Sequence, residues 1–95
     1  MTAYIIANVD VTDQAAYDEY RRGVPATIAA YGGRFLARGG ATRVFEGEFL
    51  PKRLVIIEFP DIAAAQRWYE SPEYRPLLEM RKRASRGSLF VVEGA

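Results

Sequence analysis

Arg53-Leu54-Val55-Ile56-Ile57-Glu58-Phe59 constrains this chain more than any other segment. Its residues from Leu54 to Ile57 are apolar without interruption and mostly β-branched, and Phe59 follows the closing charge. Such a run suits a central strand buried on both faces. A central strand needs flanking strands and a cover, so the rest of the chain must supply both.

The segment from Ala3 to Val11 supplies a neighbour. Ala3, Ile5, Ala7, Val9 and Val11 alternate with Tyr4, Ile6, Asn8 and Asp10. The fully apolar set is expected to face helices and the mixed set to face elsewhere. Arg34 to Arg38 reads as a further strand, with Gly39-Gly40 as a bulge or bend and Thr42 to Phe45 continuing it. Glu46 to Lys52 then forms a turn. Leu89-Phe90-Val91-Val92 is a last short strand.

Two helical regions supply the cover. Thr12 or Asp13 can cap the first, in which Tyr17, Tyr20, Val24, Ile28 and Tyr31 recur at steps of three and four. Pro25 is expected to kink that helix or begin a second segment, because it lacks an N–H and crowds the preceding turn. Gly32-Gly33 ends it. Asp61 caps the second, with Ile62, Ala65, Trp68 and Tyr69 inward. Ser71-Pro72 restarts a helical turn, and Tyr74, Leu77 and Leu78 continue the apolar face. Arg81-Lys82-Arg83 favours the negative end of that helix and is read as facing solvent.

The order β-α-β-β-α-β is the split βαβ arrangement. The expected fold is α+β, a ferredoxin-like protomer whose antiparallel sheet carries helices on one face, in one domain over residues 1–95. A domain of that length buries only about two-thirds of its unfolded surface, so its core is limited. The second sheet face, with Tyr4 and Ile6, is left partly apolar, which marks an interface. Stacking two copies face to face closes a barrel, so the expected partner is a second copy of the chain.

Composition removes whole classes of chemistry. The chain has no Cys and no His. Disulfides, thiolate metal sites, Cys or Ser-His nucleophilic catalysis, zinc catalysis and His-ligated haem therefore cannot be built from it alone. No carboxylate cluster is visible, so metal is expected to be irrelevant and no cofactor is expected. The net charge of +1 argues for neither nucleic acid nor an anionic membrane. The apolar stretch from Ala3 to Val11 is too short to span a bilayer, and the start lacks a signal-like basic region, so a cytoplasmic protein is expected.

These segments together resemble a known family. The matching pieces are Ala3-Tyr4-Ile5-Ile6-Ala7, the stretch Tyr31 to Gly40, Phe45-Glu46-Gly47, Arg53 to Pro60, Trp68-Tyr69 and Ser71-Pro72-Glu73-Tyr74. The chain resembles the domain-of-unknown-function 1330 family, a branch of the dimeric α+β barrel superfamily. The resemblance implies a ferredoxin-like protomer and a homodimer, and it implies no particular reaction. The superfamily includes small monooxygenases, isomerases, haem proteins and ligand-sensing modules, so the fold cannot choose among them.

Several residues are candidates for a site. Arg38, Glu46 and Arg53 are charges on or beside strands, and Arg suits a carboxylate because its planar fork can bond both oxygens. Tyr17, Trp68 and Tyr74 are aromatic residues on the covering helices. Together they are expected to line a cleft between sheet and helices, with Glu46 neutralising one arginine when the cleft is empty. Glu58 is expected to be partly buried and paired. Asn8 and Asp10 read either as the strand emerging into water or as a cleft wall. The functional expectation is a module that binds a small acidic or aromatic metabolite. Its rivals are a cofactor-free enzyme of the monooxygenase or isomerase kind and a purely structural dimer.

Overall fold

The computed structural model describes residues 1–95. The elements run β1 (Ala3–Val11), α1 (Gln14–Ala30), β2 (Arg34–Arg38), β3 (Arg53–Phe59), α2 (Ile62–Tyr69), α3 (Arg75–Ala84) and β4 (Ser85–Glu93). They form a four-stranded sheet in the order β2-β3-β1-β4, with antiparallel neighbours throughout. This is the ferredoxin-like arrangement. Its extents of 36 × 34 × 16 Å describe a slab of one sheet and one helix layer.

Local signals place most of these elements. Asp13 and Asp61 cap α1 and α2, each carboxylate accepting a backbone N–H three residues on, from Ala16 and Ala64. Gly32, at φ 81°, takes the left-handed conformation that ends α1, and Gly33 N–H returns to the Ile28 carbonyl. Ser71 Oγ accepts from Tyr74 N–H one turn before α3 begins.

The alternation of β1 holds in three dimensions. Ala3, Ile5, Ala7 and Val9 are buried beneath the helices. Val55, Ile57 and Phe59 of β3 join them. Trp68 and Tyr74 are fully enclosed, with ring centroids 4.1 Å apart. Burying a large apolar side chain contributes roughly 1.5–3 kcal/mol, so this layer dominates stability.

The structure departs from the expectations in several of these elements. β3 is central, but only one face is covered within the chain: Leu54 and Ile56 are half-buried, because all three helices lie on the other side. The segment Thr42 to Phe45 is not a strand; β2 ends at Arg38 and the connection to β3 spans 39–52. The bulge is not at Gly39-Gly40 but at Leu36, where the pairing steps from Phe35↔Ile57 to Ala37↔Ile56. Of the two outcomes expected at Pro25, a second segment is not found: α1 runs on through it as one helix. Proline leaves the carbonyl four residues back, on Arg21, without its helical donor. The Arg38 Nη2–H donates to that oxygen at 2.6 Å instead, so no second segment has to begin there.

β4 is also longer than its apolar core. It starts directly after α3 and pairs with β1 from Val11↔Ser85 to Ala3↔Glu93. Backbone pairing carries it through Arg86 and Ser88, which apolar content alone does not mark.

Candidate functional site

A cleft opens between the sheet and α1. It is narrow, with about 30 Å³ of room for the centre of a water-sized sphere, and it opens to solvent. Its apolar floor is Ala7, Val9, Val55 and Ile57, and its apolar walls include Tyr17, Val24, Ile28 and Phe35. Tyr17, Tyr20, Arg21, Val24 and Ile28 reach it because they share one face of α1. Trp68 from α2, Arg81 from α3 and Leu89 from β4 complete the lining.

The polar side of the cleft is made by arginines. Arg38 ends β2 and Arg53 begins β3, so the antiparallel pairing of these strands places them side by side. Arg53 shares the inward parity of Val55, opposite Val9. Arg38 would point outward with Arg34 in a regular strand. The extra residue at Leu36 reverses the parity and turns Arg38 inward, opposite Val55. Gly39, at φ 72°, then turns the chain away, and a Cβ at this position would collide with the Arg53 guanidinium.

Both guanidinium groups lie against aromatic rings. Arg38 Cζ is 4.4 Å from the Phe35 centroid, and Arg53 Cζ is 5.5 Å from that of Tyr17. Burial first, and then the charges of Arg21 and Arg53, pull the Arg38 pKa below its usual value. No carboxylate forms an ion pair with Arg38, Arg53 or Arg81. The ion pairs are Arg34–Glu58 at 2.9 Å on the outer face and Arg21–Asp18 at 3.8 Å, whose two members are nearly half exposed. A pair so exposed is screened by water and contributes little. Arg53 Nε is buried and has no hydrogen-bond partner.

Of the residues singled out in the sequence, Arg38, Arg53, Tyr17 and Trp68 line the cleft together. Glu46 does not reach it. It is exposed within 39–52 and forms no ion pair, because β2 stops before it and cannot carry it back to the sheet. Tyr74 lies behind the wall, fully buried, its hydroxyl 2.9 Å from that of Tyr20. Glu58 is half-buried and paired with Arg34, as expected. Asn8 Oδ1 accepts the Lys52 N–H at 2.8 Å, which ties the end of the 39–52 connection to β1.

The sequence reading missed Arg21 and placed Arg81 in solvent. Arg81 is only 9% exposed, and its Nε–H donates to the Tyr74 hydroxyl at 3.3 Å. The signal was available. Arg81 follows Tyr74 and Leu78 at helical steps, so it shares their buried face, whereas Lys82 and Arg83 do not. Arg21 sits four residues before Pro25, where a free carbonyl is to be expected.

Chemically the cleft offers cations, hydroxyls and apolar surface. It holds no imidazole and no thiol, and no group of three or more acidic residues gathers anywhere in the fold to hold a metal ion. No helix is long and apolar enough to cross a membrane.

Known structures share this architecture. A protein of unknown function from Rhodopseudomonas palustris matches with a TM-score of 0.79 at 18% identity, over 99% of this chain and 82% of its own. SnoaB, a cofactor-independent oxygenase from Streptomyces nogalater, matches with a TM-score of 0.67 at 13% identity, over 99% of this chain and 93% of its own. A dimeric ferredoxin-like protein of unknown function from Jannaschia sp. CCS1 matches with a TM-score of 0.63 at 18% identity, over 100% and 99%. Such identities speak for the fold alone. No curated protein matches. The family model for a domain of unknown function, DUF1330, matches residues 2–95, and the chain belongs to that family.

Proposed function

We propose that the protein binds a small organic acid with an apolar or aromatic body in the cleft between sheet and α1. One observation carries this reading: Arg38 and Arg53 converge at an apolar cleft without a carboxylate between them, and Arg53 Nε is left buried and unpartnered. A buried donor without an acceptor costs about 1–3 kcal/mol, and a ligand carboxylate would supply the acceptor. Clefts with apolar walls and a few convergent polar groups are where small ligands bind. The working form is a homodimer joined through the outer sheet face. Phe90, Ile6 and Ile56 form a row there across β4, β1 and β3, with Leu36 beside them. The dimeric state of the Jannaschia protein agrees with this assembly.

The test is calorimetric titration with aryl carboxylates and with the corresponding primary amides. The acids are expected to bind, more weakly as salt is raised, because screening weakens charge attraction. Equal binding of acids and amides would remove the arginines from recognition.

A second reading, cofactor-free oxygenation, draws on the likeness to SnoaB and on a cleft walled by aromatic and apolar side chains. With no His, catalysis would rest on positioning a substrate that already reacts with oxygen. Oxygen uptake on adding electron-rich phenols, absent with heat-denatured protein, distinguishes this reading from binding alone.

A further inference from the structure

The lining of the cleft carries a second polar feature, at Tyr20 and Arg81. Arg81 Nε–H donates to Tyr74 Oη, and Tyr74 Oη is 2.9 Å from Tyr20 Oη. Two hydroxyls at that distance share one hydrogen, and burial decides which. Tyr74 is fully buried and its hydroxyl has no other acceptor. Were Tyr20 the donor, Tyr74 would accept twice and its own hydrogen would be stranded, at a cost of about 1–3 kcal/mol. Tyr74 is therefore the donor to Tyr20. The chain runs in one direction, Arg81 to Tyr74 to Tyr20, and each bond polarises the next.

The hydrogen of Tyr20 is then left over. Tyr20 makes no hydrogen bond to any protein acceptor besides this shared contact, and its side chain lines the cleft. Burial raises the Tyr20 pKa, so the hydroxyl keeps its proton and acts as a donor, not a base. We infer that Tyr20 Oη–H, set by Tyr74 and Arg81, is a second recognition point, and that the ligand is an acid carrying an acceptor oxygen at the end remote from its carboxylate. A keto-aryl or acyl-aryl carboxylate fits this description. The carboxylate meets Arg38 and Arg53, the walls at Tyr17, Val24, Ile28 and Phe35 part to take in the apolar body, and the remote carbonyl accepts from Tyr20. Tyr74 and Arg81 act as positioning residues. The inference rests on the acid-binding reading.

The experiment compares paired acids that differ only in that oxygen: para-acetylbenzoate with para-isopropylbenzoate, and the corresponding phenylacetate and phenylpropanoate pairs, which vary the span. Affinities are measured by calorimetry on the wild type, on Tyr20→Phe and on Arg53→Met. In the wild type the acetyl member of the best-fitting pair is expected to bind about fivefold tighter, the worth of one neutral hydrogen bond. In Tyr20→Phe both members are expected to bind with that preference gone. In Arg53→Met both are expected to weaken with the preference kept. Such a ratio is insensitive to a merely structural loss, and the wild-type preference is read without any substitution. Acids that bind without preference, or a preference that survives in Tyr20→Phe, overturn the Tyr20 assignment and leave acid binding standing. If no acid of any span binds, both readings fall.

Discussion

The Arg38 guanidinium donates to the backbone carbonyl of Arg21 at 2.6 Å, across the gap between β2 and α1. The acceptor is free because Pro25, one helical turn later, has no N–H to offer it. A helix imperfection thus holds a charged side chain over the cleft.

Pro25→Ala tests that link. Restoring the N–H lets Arg21 O bond within the helix and releases Arg38. The variant is expected to gain stability by less than the ~3 kcal/mol typical of an interior proline, because the charge-assisted bond is given up. Organic acids are expected to bind it more weakly. Urea midpoints and calorimetry check the two halves, and a destabilised Pro25→Ala with unchanged acid binding would contradict both.

Arg53→Met removes the unpartnered Nε while keeping an unbranched apolar stem. Without ligand the variant is expected to be at least as stable as the wild type, by up to about 1 kcal/mol, since an unsatisfied buried donor disappears. Its affinity for aryl carboxylates is expected to fall about tenfold or more, the range of a hydrogen bond to a charged group, and to lose most of its salt dependence. The readout is a pair of titrations at low and high salt.

Thr27→Val addresses the core beneath the cleft. Trp68 Nε1–H donates to Thr27 Oγ1 at 3.0 Å in a region closed to water. Valine keeps the shape and leaves the indole donor without a partner, at about 1–3 kcal/mol. For a domain of this size each kcal/mol lowers Tm by roughly 4–8 °C. An unchanged melting temperature by circular dichroism would mean the indole has found another acceptor.

Phe90→Asp probes the outer sheet face. Phe90 of β4 is 54% exposed in the single chain and pairs with Ile6 of β1. A charge there should break a face-to-face dimer without touching the core. Sedimentation is expected to show a dimer for the wild type at micromolar concentration and a monomer for the variant, with the same far-ultraviolet spectrum. A wild type that sediments as a monomer would end the dimer proposal.

What the sequence determined by itself is the set of features decided within a turn or a strand. The two-residue period of Ala3–Val11 chose the buried face of β1, Asp13 and Asp61 began helices, Gly32 ended one, and Glu58 announced a paired charge. Each of these depends on neighbours within about four residues. The cleft depends on distant ones. The direction of Arg38 hung on one extra residue at Leu36, which appears only when β2 is set against β3. Glu46 was lost to the cleft because β2 stops pairing at Arg38, although its own sequence could have extended the strand. Arg81 went inside because the hydroxyl of Tyr74, the residue just before its helix, and behind it Tyr20 of α1, stood ready to receive it. Local chemistry can fix an element and its faces, but whether a charge is buried depends on which partners the finished packing brings to it.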